Sequence, residues 1–258
     1  MNTTHPSILL FDTILERHVC DSFKDALESL GCRVNATGPV WRGHRFPDSH
    51  KDMDTIRVRL DQELEFRPDI FFVFRASTLT PELIQRAKRS GCTTVVWFPD
   101  DPVLYDICYR HVVDEYDVVL HCGPERILRF YKERGHQSGV NFPFWAAPSR
   151  FPYCYDPERV QYDLVFLGNC AGQVRRARYD FIASLPVSAR IFGRVDDDPF
   201  GLHGGVIADG DNELGGITSA LSRARVALSI PQFFSAYRGT KYDFPGLILP
   251  AGSGSMRE

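Results

Sequence analysis

Short apolar runs of strand length alternate along the chain with longer stretches whose apolar positions recur every three or four residues. Ser7–Phe11 (SILLF) predicts a strand, and Phe23, Ala26, Leu27 and Leu30 share one face of a helix over 20–30 that Gly31 ends. Ile56, Leu60 and Leu64 predict a helix over 54–66, broken by Arg67-Pro68-Asp69, after which Ile70–Phe74 (IFFVF) reads as a buried strand. Thr80 and Pro81 have the chemistry of an N-cap and a first helical position, and Gly91 stops that helix. Thr93–Phe98 and Tyr116–His121 are further strands. A helix opens at Gly123-Pro124-Glu125 and closes at Gly135, and Val140–Phe144 is a short extended segment.

Strands that lack polar alternation and are separated by helices point to parallel βαβ units covered on both faces. Residues 1–148 therefore read as one doubly wound, Rossmann-like α/β domain. Ala147-Pro148-Ser149-Arg150-Phe151-Pro152 and Asp156-Pro157 have linker composition. A second alternation then fills 149–258. Its strands are Tyr162–Leu167, Ala189–Phe192 and Arg225–Ile230, and its helices are Val174–Leu185 and Glu213–Ala224. About three strands, where such a domain usually has around five, predict an incomplete second Rossmann-like domain.

Composition narrows the function classes. The 258 residues are 43% hydrophobic and 24% charged, as in a globular protein. Lys plus Arg number 30 against 33 Asp plus Glu, a net charge of −3 that gives no broad footprint for nucleic acid or an anionic membrane. No run approaches the roughly 18 apolar residues of a membrane span, and the start has no basic n-region. The seven cysteines are scattered without CxxC spacing, and the eight histidines show neither HxxxH nor HExxH. That pattern predicts free thiols in a reducing cytoplasm and no metal.

Four places carry candidate chemistry. Val95–Pro102 (VVWFPDDP) is a strand ending in Asp100 and Asp101 between prolines. Carboxylates fixed at a strand's carboxyl end suit a general base or a hydroxyl-binding pair, and Asp101 before Pro102 also fits an N-cap. Leu167-Gly168-Asn169, followed by Arg175-Arg176 at a helix start, suits a diphosphate, or else a turn glycine and a solvated basic face. Gly193-Arg194 repeats that geometry, with Asp196–Asp198 after it expected in solvent. His121, at a strand end, reads as an acid or base or as a buried, satisfied histidine.

WFPDDP, then YDVVLHCGPERILRFYKERG, FPFWAAPSRF, YDLVFLGN and IFGR occur in an order and spacing that resemble the CgeB-type, spore-maturation-like glycosyltransferases. The resemblance spans about Ile70 to Ile230. It implies a GT-B architecture, two Rossmann-like domains across a cleft, with the donor nucleotide-diphosphate sugar in the second and an unspecified acceptor in the first. Gly168, Asn169, Arg175, Gly193, Arg194 and Arg238 would contact the donor, and Asp100 and Asp101 would lie on the acceptor side. It implies metal-independent transfer with no cofactor beyond the sugar nucleotide. Leu249–Gly252 resembles the family's small-residue turn, but Asp243-Phe244-Pro245-Gly246 precedes it without the expected ribose-binding glutamate, and the family's closing helices are missing. That departure implies a truncated enzyme of impaired activity, a chain completed by a protein partner, or a non-catalytic two-lobed binding module or interaction subunit.

Overall fold

The computed structural model describes residues 5–11, 17–38, 50–74, 79–99, 101, 105–106, 109–123, 125–137, 139–145, 156–205 and 213–230. The chain divides into two compact units, Met1–Ala147 and Pro148–Glu258.

Unit 1 runs β1 (Ser7–Phe11), α1 (Arg17–Ser29), β2 (Arg33–Ala36), α2 (His50–Leu64), β3 (Ile70–Phe74), α3 (Pro81–Arg89) and β4 (Thr93–Phe98). Two 3₁₀ turns follow, Tyr109–His111 and Val113–Glu115, then β5 (Val118–His121), α4 (Glu125–Glu133) and β6 (Val140–Asn141). The strands form one parallel sheet in the order β2-β1-β3-β4-β5-β6. Its fully apolar strands are buried: every residue of β1 is, as are the last four of β3. Ile8, Leu10, Phe72, Phe74 and Trp97 form a core cluster against which Phe23, Phe142 and Trp145 pack. Both indole N–H groups there are used. Trp97 Nε1 donates to the Phe142 carbonyl at 2.9 Å and Trp145 Nε1 to Ser22 Oγ at 3.0 Å, so burial leaves neither donor unsatisfied.

Unit 2 runs β7 (Tyr162–Leu167), α5 (Gln173–Ala183), β8 (Ala189–Phe192), β9 (His203–Gly205), α6 (Glu213–Ser222) and β10 (Ala224–Leu228). Its strands are parallel in the order β10-β7-β8-β9. Its core joins Leu164, Phe166, Tyr179, Ile182, Ile191 and Ile230. Two strands departed from expectation. β2 (RVNA) lies at the sheet edge with no buried residue, and β9 (HGG) has no apolar residue, so neither carries a hydrophobic signal.

The same device recurs where neighbouring strands begin. Asp69, just before β3, accepts the N–H and the hydroxyl of Ser7 in β1, both at 2.7 Å, and its own N–H donates to the Ser7 carbonyl at 2.8 Å. Asp117, just before β5, accepts the N–H and hydroxyl of Thr94 in β4, both at 2.8 Å, and donates to the Thr94 carbonyl at 3.0 Å. In unit 2, Asp163 accepts the Ser188 N–H at 3.1 Å and donates to its carbonyl at 2.9 Å. Hydrogen bonds from Ser7, the backbone one foremost, hold the Asp69 carboxyl below its ordinary value. For Asp117 partial burial pushes upward, but the bonds from Thr94 and the ammonium of Lys88 at 2.9 Å outweigh it, and its pKa is lowered.

Depressed carboxylates contribute stability that is fully present above their unfolded values, about pH 4, and is lost as pH falls through the lower folded values. The Asp69→Ala and Asp117→Ala variants are therefore less stable near neutrality and lose less on acidification than the wild type. Melts between about pH 3 and pH 7, followed by tryptophan fluorescence, check this. All three tryptophans lie in unit 1, so the signal reports that unit. An unchanged acid slope in both variants would refute the assignment.

Candidate functional site

In a parallel sheet the ligand crevice forms beyond the carboxyl ends of strands, where the chain reverses its direction of winding. In unit 2 that point lies between β7 and β10. The residues leaving β7 there are Gly168 and Asn169. In unit 1 it lies between β1 and β3, and residues 12–16 and 75–78, which leave those strands, fall outside the described residues.

The loop after β7 is locked to the loop after β8 through backbone. Gly168 N–H donates to the Phe192 carbonyl at 3.0 Å and Cys170 N–H to the Arg194 carbonyl at 2.8 Å. Gly193 lies so close that a Cβ on it would sit 2.0 Å from the Gly168 oxygen, and its φ of +152° adds to the demand for glycine. Asn169 Oδ1 accepts the Ala171 N–H at 2.8 Å, and Arg178 donates to the Asn169 carbonyl at 3.1 Å. The loop is thus shaped before any ligand arrives. Arg178, on α5, is its anchor.

Helix α5 begins at Gly172, φ +79°, with no side-chain cap of its own. Arg175, half-buried, and Arg194, exposed, make no ion pair among the described residues. Arg176 is already engaged with Asp180 at 2.8 Å and with the Asp197 carbonyl at 3.0 Å. Asp196 and Asp197 are exposed, as expected, and Asp198 is half-buried, but Asp196 and Asp198 are not free. Asp196 Oδ2 accepts the Gly172 N–H at 2.6 Å, because an uncapped helix start has donors to fill and favours a carboxylate. Asp198 accepts the Leu202 N–H at 2.7 Å, the His203 N–H at 2.9 Å and the hydroxyl of Tyr179. Burial works against the Asp198 charge, but these bonds prevail and hold its carboxyl low.

In unit 1, Asp101 and His121 stand where β4 and β5 end. Their side chains are fully buried, with Asp101 Oδ2 2.6 Å from His121 Nδ1. Tyr131, on α4, donates its hydroxyl to the other carboxylate oxygen. Burial first, and then the charge of Asp101, push the Tyr131 hydroxyl well above its ordinary value, so it stays a proton donor. Asp101 therefore does not face solvent, and residues 102–104, whose N–H groups a cap would bind, fall outside the described residues. The expected satisfied histidine is only half satisfied, since buried His121 Nε2 has no hydrogen-bond partner among the described residues. Tyr131 carried no sequence signal beyond its apolar helix face. Asp100 and Arg238 lie outside the described residues.

No family model and no curated protein matches the chain. Solved structures do. The ABC transporter, LacI-family transcriptional regulator from Brachyspira murdochii is 16% identical, covering 68% of this chain and 49% of its own, at a TM-score of 0.30. The chain thus spans about half the length of that regulator. The glycotransferase of kitacinnamycin is 14% identical over 89% of this chain and 81% of its own, TM-score 0.44. UGT73P12 of Glycyrrhiza uralensis, complexed with glycyrrhetinic acid 3-O-monoglucuronide, is 9% identical over 88% and 69%, TM-score 0.42. None of these likenesses assigns an activity to this chain.

The contact between the two glycine loops predicts that Gly193→Ala destabilises unit 2 by about 2–3 kcal/mol. Far-UV circular dichroism in a denaturant series measures it, since no tryptophan lies in this unit. A loss below about 0.5 kcal/mol would show that the loops relax apart freely.

Proposed function

We propose that the chain is a glycosyltransferase of the CgeB-like type, with unit 2 binding a nucleotide-diphosphate sugar and unit 1 a hydroxyl-bearing acceptor. The observation that carries this reading is the placement of Gly168 and Asn169 at the winding reversal of a parallel sheet, with Arg175 six residues on, the Arg194 backbone bonded to Cys170, and neither guanidinium in an ion pair among the described residues. A departing diphosphate develops negative charge, and bidentate guanidinium groups together with a helix N-terminus are the groups that stabilise it. The order of motifs along the sequence supports the same family. Arg238 belongs to the reading as a further donor contact, and Asp100 as an acceptor-side carboxylate. The reading assigns neutralisation of the leaving group to arginine and needs no cofactor. A cytoplasmic setting belongs to it as well. Among the described residues no helix is long and apolar enough to cross a membrane.

Asp196 favours a second reading. Its carboxylate occupies the Gly172 N–H that a phosphate oxygen would take. A binding module that holds a sugar nucleotide without turnover, derived from such an enzyme and working as an interaction subunit, tolerates that competition better than a fast transferase does.

Calorimetry with UDP-, GDP- and TDP-linked sugars tests the donor site. Removing a charge-assisted hydrogen bond costs about 1.5–3 kcal/mol, so Arg175→Ala and Arg194→Ala weaken binding roughly 10- to 100-fold. Asp196→Ala acts with the opposite sign and tightens it. If the wild type binds none of these ligands, the donor assignment fails. Binding without hydrolysis or transfer selects the second reading.

A further inference from the structure

We infer that Arg178 is a positioning residue of the donor site: it pins the peptide after Asn169 from the α5 side and leaves the Asn169 side-chain nitrogen as the group offered to the diphosphate. The inference rests on the donor-binding reading of unit 2 above. Arg178 stands on the second turn of α5 and is half-buried. Its guanidinium lies 5.9 Å from the centre of the Phe166 ring. That ring packs against Gly168, where a Cβ would sit 2.8 Å from it. From this position Arg178 donates to the Asn169 carbonyl at 3.1 Å. The N–H of the same peptide unit, on Cys170, donates to the Arg194 carbonyl at 2.8 Å. One amide plane is thus held through its oxygen and through its nitrogen, and it turns over only if both bonds break.

The side chain of Asn169 is fixed as well. Its Oδ1 accepts the Ala171 N–H at 2.8 Å, a bond that assigns the oxygen end of the amide. The other end, Nδ2, carries two hydrogens and makes no hydrogen bond among the described residues. Asn169 follows the carboxyl end of β7, beside the winding reversal where a parallel sheet takes its ligand. A donor held in one direction there loses little freedom when an anion arrives, and a diphosphate oxygen is the acceptor it suits. Without Arg178 the Asn169 carbonyl loses its donor, and the loop loses a bond that sets the direction of the side chain. Arg178 therefore acts through Asn169 and needs no contact with the ligand of its own.

Two measurements on the full chain test this. With no ligand present, hydrogen exchange of the Ala171 amide reads the locked loop. Arg178→Ala should speed that exchange about 10-fold or more, and Arg178→Lys, which keeps an N–H donor, should stay close to the wild type. Alanine favours a helix interior, so the variant keeps α5. Exchange unchanged in Arg178→Ala overturns the inference whether or not any nucleotide binds. The second measurement is calorimetry with whichever of the UDP-, GDP- and TDP-linked sugars binds the wild type. Arg178→Ala should weaken that binding about 10-fold and Arg178→Lys by less. Asn169→Asp keeps an oxygen for Ala171 and exchanges the Nδ2 donor for a second carboxylate oxygen. It should weaken binding at least about 10-fold while the urea midpoint stays at the wild-type value. Affinity unchanged in either Arg178→Ala or Asn169→Asp refutes the positioning role and leaves Arg175 and Arg194 as donor contacts. Failure of the wild type to bind any of these ligands refutes the donor reading and the inference with it, and the exchange of Ala171 still judges whether Arg178 holds the loop.

Discussion

The carboxylates that open β3, β5 and β7 set the frame on which everything else is built. Parallel strands have no hairpin to fix their register, and a slip of two residues would preserve which side chains face which layer. Each aspartate binds a serine or threonine at the start of the adjacent strand or just before it, taking the N–H on its carboxylate and donating its own N–H to the carbonyl, and Asp69 and Asp117 add the hydroxyl. A slip therefore loses several charge-assisted bonds at once. Once register is fixed at the amino ends, it is also fixed at the carboxyl ends, where Asp101 meets His121 and Gly168 meets Gly193. The chemistry of both units thus depends on contacts at the opposite edge of each sheet.

The fold was largely legible in the sequence because β1, β3 and β4 are largely buried. SILLF, IFFVF and TTVVWF admit no exposed reading, and their observed limits agree with the predicted ones. Thr80 and Pro81 also marked the start of α3 correctly, since cap chemistry is local and the Thr80 hydroxyl does accept the Leu83 N–H. Strands β2 and β9 were hidden because their stability comes from ladder bonds to a neighbour, which no composition reveals. The three aspartates were visible as residues, but their partners lie from 23 to 62 positions away.

The candidate residues were legible as residue types at strand ends, and their partners were not. Strand-end glycines and carboxylates were recognisable, because a close backbone approach and a fixed charge need those residue types. What pattern could not supply was pairing. Asp101 is joined to His121 and Tyr131, 20 and 30 residues on, and Asp196 reaches back 24 residues to the start of α5. Asp101 is buried by its contacts, whereas Asp196 stays exposed and is bonded all the same. A buried acid was matched with two donors, and an uncapped helix recruited a carboxylate from the next loop.

The two sheets are wired differently. In unit 1 the second strand lies outside the first and the third returns across it, whereas in unit 2 three strands step outward in sequence before the fourth crosses back. Doubling of a single ancestral half, followed only by point substitutions, would have left both halves with the same path. Among the described residues the strand paths of the two halves do not match in order. Residues in one half have no counterparts at matched ordinal positions in the other, and each half's sequence constraints must be worked out on their own terms.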